Sequence, residues 1–311
     1  MKKIYLIILV ILLTGCTNYN DISNIAVVSS IGISVNGNNY NVYVKVLSSN
    51  QENEENIYIK TCTSLDECFN ELSTELMKRL YLTHMDLLIL SNNLAKKNYN
   101  EIFNFFLNEK SSRGSFTTII VEHIDSKILQ ANTSDIKNIL SLSLSTNGIT
   151  SEVTLTDIIK DILNFNISYV PFIETQNEIT VKGYKTIYDE NKILTNEESL
   201  AINIIKNNIK TFQIIIDKNI YKLEQCYTTN KIHTKDIEIN FYCKYYGNNE
   251  GDKENIENYL TKIIKAFTQN NKNNYFDYLL YKYKNFKTNN MEYRVNVSID
   301  YKPNIGGDIF E

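Results

Sequence analysis

The first sixteen residues constrain everything that follows them. Met1-Lys2-Lys3 is cationic, and Ile4 to Leu13 is an unbroken run of ten apolar residues. At about 1.5 Å per residue such a run spans about 15 Å of helix, about half of a bilayer core. It reads as the hydrophobic region of an export signal and not as a transmembrane helix. The folded part of the chain is therefore expected to start beyond it, outside the cytoplasm.

The run ends in Leu13-Thr14-Gly15-Cys16, which resembles the bacterial lipobox. A small residue at Gly15 lets a signal peptidase reach the backbone, and Cys16 supplies the thiol that receives diacylglycerol. The expectation is a lipoprotein signal peptide at 1–15, a lipidated tether at 16–24 and a protein held on the outer face of a bacterial cytoplasmic membrane. A multiply acylated Cys is a stable anchor, whereas one chain, at about 0.8 kcal/mol per buried CH₂, is marginal. Losing Lys2 and Lys3 with residues 1–15 takes the net charge from −4 to −6. That balance argues against a nucleic-acid partner, which calls for a basic excess. With 43% hydrophobic and 22% charged residues the composition is that of a globular protein, which excludes disorder and a multi-span membrane protein. At 311 residues no disulfide staple is needed to hold a core.

Along the exported part, Ile25 to Val35 reads as a strand, Asn36-Gly37-Asn38 as a hairpin turn and Tyr40 to Leu47 as the return strand. Glu52 to Glu55 is an acidic loop. Ser64 and Glu67 form a capping box, and Leu65, Phe69, Leu72, Leu76 and Leu80 mark one face of a helix ending in Lys78 and Arg79. Leu82 to Leu90 reads as a strand carrying His84. Further helices are expected from Asn98, between Ile124 and Leu144 with a break near Ala131-Asn132-Thr133, and from Thr154 to Asn164. Phe116 to Val121 is a strand. Pro171 and Thr175-Gln176-Asn177 mark a boundary. Beyond it come a hairpin at Ile179 to Leu194, a helix capped by Thr195 and Glu198, and strands at Phe212 to Ile216, Tyr221 to Tyr227 and Ile237 to Tyr246. Helices at Glu254 to Asn270 and Asn274 to Lys284 and a strand at Glu292 to Tyr301 complete the chain. Strands and helices mix without a regular βαβ period, so the class is α+β, with mixed sheets and packed helices in two to three subdomains. The division is placed between an N-terminal domain, 25–178, and a C-terminal domain, 179–311.

The search for chemistry is nearly empty. There is no Gly-rich phosphate loop, no nucleophile elbow and no His-Glu-x-x-His helix, so neither an enzyme nor a cofactor is expected. His84 and His123 are isolated in apolar runs and read as hydrogen-bonded structural residues. Cys62 and Cys68 stand at a strand-to-helix junction, and no second pair completes a four-ligand metal set. Cys226 and Cys243 fall on adjacent strands, where a disulfide and a pair of buried thiols are both open.

Several segments in order resemble the Ger(x)C spore germination lipoproteins, the C subunits of nutrient germinant receptors. They are Cys16 followed by Ile25-Ala26-Val27-Val28 and Ile31-Gly32-Ile33, then Leu76-Met77-Lys78-Arg79-Leu80-Tyr81-Leu82-Thr83-His84 leading into Leu87-Leu88-Ile89-Leu90. Asn104-Phe105-Phe106-Leu107 with Arg113, Gly183-Tyr184-Lys185-Thr186-Ile187, Asn191-Lys192-Ile193-Leu194, Glu197-Glu198 and Tyr293-Arg294-Val295-Asn296-Val297 before Gly306-Gly307 continue the series. The chain departs from the family in having Thr17-Asn18 where Trp-Asp is usual, and in having no Trp. The resemblance implies a non-catalytic subunit at the spore inner membrane, beside polytopic membrane subunits, that helps trigger germination. It also directs attention to Lys78, Arg79, His84 and Arg113 as residues that dock on those subunits. The alternative is a solute-binding lipoprotein delivering a small ligand to a transporter.

Overall fold

From Val28 to Ile33 every residue of β1 (Ile25–Asn36) is buried, with no alternation between faces. A strand covered on both sides belongs in the middle layer of three. The computed structural model, which describes residues 24–47, 55–176, 178–188, 191–233, 236–270 and 292–303, has that arrangement. β1 pairs antiparallel with β2 (Asn39–Leu47), which pairs with the edge strand β3 (Glu55–Cys62). On its other side β1 takes a short parallel strand, β4 (Arg79–Tyr81), on Ile25 to Val27, and then β5 (Leu87–Ser91) on Ser30 to Ile33. β6 (Thr117–Val121) and β7 (Ser168–Glu174) continue the parallel order, and β8 (Thr180–Ile187) closes the sheet antiparallel to β7. Gly37, at φ +62, makes the β1–β2 turn expected from Asn36-Gly37-Asn38.

Helices α1 (Leu65–Leu76), α2 (Lys96–Asn108) and α5 (Leu155–Phe165) cover one face, with Leu72, Ile102, Phe106 and Ile158 in one core with Leu88, Leu90 and Ile120. Helices α3 (Ser126–Gln130) and α4 (Thr133–Asn147) cover the other, with Ile128, Ile136 and Leu140 beside Leu87, Ile89 and Ile119. The second sheet is built differently. β9 (Phe212–Ile216), β10 (Asn219–Ile232) and β11 (Asp236–Gly247) run antiparallel, and β12 (Glu292–Pro303) pairs parallel to β11 over its whole length. Here burial alternates, with Tyr221 and Leu223 inward and Lys222 outward, because α6 (Asn196–Ile205) and α7 (Asp252–Asn270) cover only one face. The expected α7 stripe of Ile256, Leu260, Ile263, Ile264 and Phe267 is buried throughout. The class is α+β.

Several expectations are corrected. The helix from Ser64 stops at Leu76, not Leu80: Met77 takes φ +50, and the N–H groups of Met77 and Lys78 turn back to the carbonyls of Thr74 and Ser73. Leu80 is still buried, but on β4. The strand read over Leu82 to Leu90 is broken by a turn that carries exposed His84, and only its second half is β5. The division after residue 178 falls inside the β7–β8 hairpin, so both strands belong to one sheet. Pro171 lies within β7, where pairing to β6 begins only at Phe172, and so ends no element. The parallel pairs are joined by helical crossovers of unequal length, which is why no βαβ period was visible. Cys62 and Cys68, read as lying at a strand-to-helix junction without a metal set, form a disulfide, and of the two readings left open Cys226 pairs with Cys243, across a bulge where Gln225 takes φ +52. The signal peptide, Cys16, residues 17–23, the acidic residues Glu52 and Glu54, the helix read at Asn274 to Lys284 and Gly306-Gly307 lie outside the described residues.

The β7–β8 hairpin has one face in each core. Tyr169 and Tyr184 belong to the core of the second unit, while Val170 and Phe172 belong to that of the first. At Gly183 the backbone takes φ +108, and an added Cβ would stand 2.4 Å from Ser199 Oγ on α6. That close approach lets Ser199 Oγ accept the Tyr184 N–H at 3.2 Å.

Leu72 is fully buried between α1 and the first sheet. Leu72→Ala is expected to cost about 2–5 kcal/mol, removing a large side chain and leaving a cavity. A thermal or urea melt should move clearly downward; a midpoint equal to that of the parent chain would contradict this packing.

Candidate functional site

The parallel strands begin along one edge of the first sheet, and that edge gathers the residues singled out from the sequence. Arg79 opens β4 directly opposite Ile25, the first residue of β1. It therefore sits beside the start of β1. Its guanidinium is 62% exposed and reaches Glu109, at the end of α2, with a 4.0 Å contact of the weak surface kind. The turn 82–86 is held against the loop after α2, since the Leu82 N–H donates to Ser111 Oγ at 3.4 Å and Thr83 Oγ1 to the Ser111 carbonyl at 2.9 Å. Between them opens a hollow of about 570 Å³, lined by Val27, Ser29, Thr83, His84, Asp86 and Arg113 among others. His84 is exposed, its ring 5.9 Å from that of Tyr81, and it makes no hydrogen bond among the described residues. Neither does exposed His123, so the reading of both as hydrogen-bonded structural residues is not met. Asp86 is held by Lys137 at 3.0 Å, leaving Arg113 as the exposed cation of the hollow. Lys78 lies just before Arg79, half-buried, past the end of α1 and not on it.

Elsewhere the chemistry is structural. Among the described residues no group of three or more His, Cys, Asp and Glu side chains is placed to hold a metal ion, and no helix is long and apolar enough to cross a membrane. A smaller cavity, about 240 Å³, lies at the junction of the two units beside Tyr169, Tyr184, Asp161 and Lys206. Asp161 and Lys206 close one side of it with an ion pair at 3.2 Å. The Tyr184 hydroxyl accepts from the Ser151 N–H at 2.7 Å and donates to Asn203 Oδ1 at 2.8 Å. Burial raises its pKa to about 12, so it remains a donor at any physiological pH. On the opposite face of the same strand Lys185 is 1% exposed. Its ammonium donates to the Asn92 carbonyl at 2.9 Å and to Asn92 Oδ1, and the Asn92 carboxamide donates to Glu122 at 3.2 Å. Burial lowers the Lys185 pKa from 10.5 to about 8, against the pull of Glu122.

The model of the spore germination protein N-terminal domain matches residues 18–175, half of the chain. The chain belongs to the Ger(x)C family of germinant receptor C subunits. Among solved structures, the crystal structure of the GerBC protein superimposes on it with a TM-score of 0.46 at 11% identity, covering 86% of this chain and 96% of that one. No match is found among curated proteins. The family match ends close to the division expected from the sequence, while the sheet of this germination protein runs on through β8.

Lys185 had no sequence signal, because nothing local distinguishes it from the exposed Lys182 on the same strand. Its burial yields a pH test. Because the folded pKa lies below the unfolded one, the unfolded state binds more protons between about pH 8 and 10.5, and stability rises with pH there. Over pH 8 to 9.5, below the tyrosine range, the parent chain should gain about 1–2 kcal/mol from this group. Lys185→Met should remove that gain, as read from urea midpoints across the window. Parallel pH profiles for the two proteins would contradict a buried, charge-shifted Lys185.

Proposed function

We propose that this C subunit is a non-catalytic, lipid-anchored component of a nutrient germinant receptor. It is tied through Cys16 to the outer face of the cytoplasmic membrane, which becomes the spore inner membrane. The edge at which β1 begins is its docking face toward the polytopic receptor subunits. One observation carries this reading: Arg79 is the register partner of Ile25, so the tether and the cations emerge side by side. A subunit that works beside membrane-embedded partners needs its contact residues at the anchored end. His84 and Arg113 line a hollow on the edge that Arg79 shares, and Arg is favoured at protein contacts. The solute-binding alternative calls for two α/β lobes around a cleft. It is not favoured, because among the described residues helices cover only one face of the second sheet, and the junction cavity is closed on one side by the Asp161–Lys206 pair.

Cys16→Ala is expected to release the folded protein from membranes in cells lacking the other subunits, read by fractionation. Retention without partners would remove the anchor from this reading. Arg79→Ala combined with Arg113→Ala should leave the melting temperature within a degree or so of the parent, since exposed charges change stability by under about 0.5 kcal/mol. The double variant should co-purify less with the membrane subunits and slow nutrient-triggered germination. Full co-purification with unchanged germination would sink the docking assignment and leave the family untouched.

A further inference from the structure

We propose that one corner of the anchored edge, where α1 and α2 end, rests on the bilayer itself and binds anionic lipid headgroups. This deepens the anchored-subunit reading and rests on it. Met77 is 88% exposed, the highest value among the exposed large apolar side chains, and Leu107 is 61% exposed. They are far apart in sequence but close to one contact: Met77 lies two residues before Arg79, Leu107 two before Glu109, and Arg79 meets Glu109. Lys78 and Lys110 flank the same contact. Neither ammonium makes an ion pair or hydrogen bond among the described residues, so both charges are available.

The backbone at this corner is suited to an apolar boundary. The Met77 N–H bonds to the carbonyls of Ser73 and Thr74, and the Lys78 N–H bonds to that of Ser73. Met77 therefore presents a flexible apolar side chain without an unpaired amide behind it, and its entry into the headgroup region desolvates no free backbone donor. The distance is bounded by covalent geometry. Nine peptide steps separate Cys16 from Ile25, and at about 3.3–3.6 Å per residue they reach at most about 30 Å. Any lipid on Cys16 keeps this edge near the surface.

Charge selects the corner. The exported chain carries −6, so most of its surface is repelled by anionic lipid. An anionic membrane attracts the corner with Lys78 and Lys110. Each Lys held close to such a surface strengthens binding about fivefold.

The chain has no Trp, so one introduced Trp is a single reporter. Four of its five Cys are in disulfides, which leaves Cys16 to be coupled, in the exported chain, to a maleimide lipid in vesicles. On phosphatidylglycerol-containing vesicles Met77→Trp should emit to the blue of its aqueous value and be quenched by brominated lipid. Ile215→Trp, on the open face of the second sheet, should stay aqueous. Replacing Lys78 and Lys110 by Ala, or using phosphatidylcholine alone, should weaken the quenching several-fold. Leu107→Trp reports the same corner if the Met77 variant does not fold. Aqueous emission from this corner on anionic vesicles, or quenching of the reporter at 215 instead, overturns the proposal. Because the anchor is supplied chemically, the result does not depend on whether cells lipidate Cys16, which the Cys16→Ala fractionation reads separately.

Discussion

The hydroxyl of Tyr184 is the point on which both halves of the molecule depend. It lies fully buried on β8, takes the Ser151 N–H from the segment before α5 and gives its proton to Asn203 on α6. Asn203 in turn donates to the Gly148 carbonyl at 2.8 Å, at the end of α4. One polar network thus fastens the helices of the first unit to the first helix of the second. Its low-dielectric setting makes it effective when complete and costly when broken. One residue further along, Lys185 performs the matching task on the other face by reaching the loop after β5. The β7–β8 hairpin is for this reason a shared wall and not a linker.

This rigidity bears on function. A buried scaffold fixes the relative positions of the side chains it carries. The parallel strands of the first sheet start together at one edge, so Arg79, the 82–86 turn and the Arg113 loop are carried on a buried scaffold. Under the proposed docking, movement of a partner against that edge would be passed to β5 and β6, and through the shared hairpin toward the second sheet.

Much of the architecture was legible in sequence where the signal is local. Asn36-Gly37-Asn38 gave the hairpin, and the Thr154–Asp157 and Thr195–Glu198 boxes gave helix starts that the side chains confirm. What was illegible is long-range. Nothing at Met77 announces a left-handed residue, since neither Gly nor Asn stands there, so Lys78 and Arg79 read as helix-end cations. They are placed instead by β4 pairing with a strand more than fifty residues earlier. The burial of Lys185 likewise arises from a contact, with Asn92, that local periodicity does not encode. The grouping of Arg79, His84 and Arg113 on one edge is a product of the parallel topology.

The pairing of β11 with β12 has a consequence in time. The two strands match residue for residue from Asp236 with Glu292 to Gly247 with Pro303, so their partners are separated by 56 positions. Closing so long a loop costs entropy before any contact rewards it, and parallel pairing of this kind is slow. The strands of the first sheet end with β8, but the second lacks its edge strand until residues 292–303 are available. A chain emerging N-terminus first would therefore have its first sheet assembled while the second is still incomplete, and loss of β12 would leave an open β11 edge, a template for misassembly.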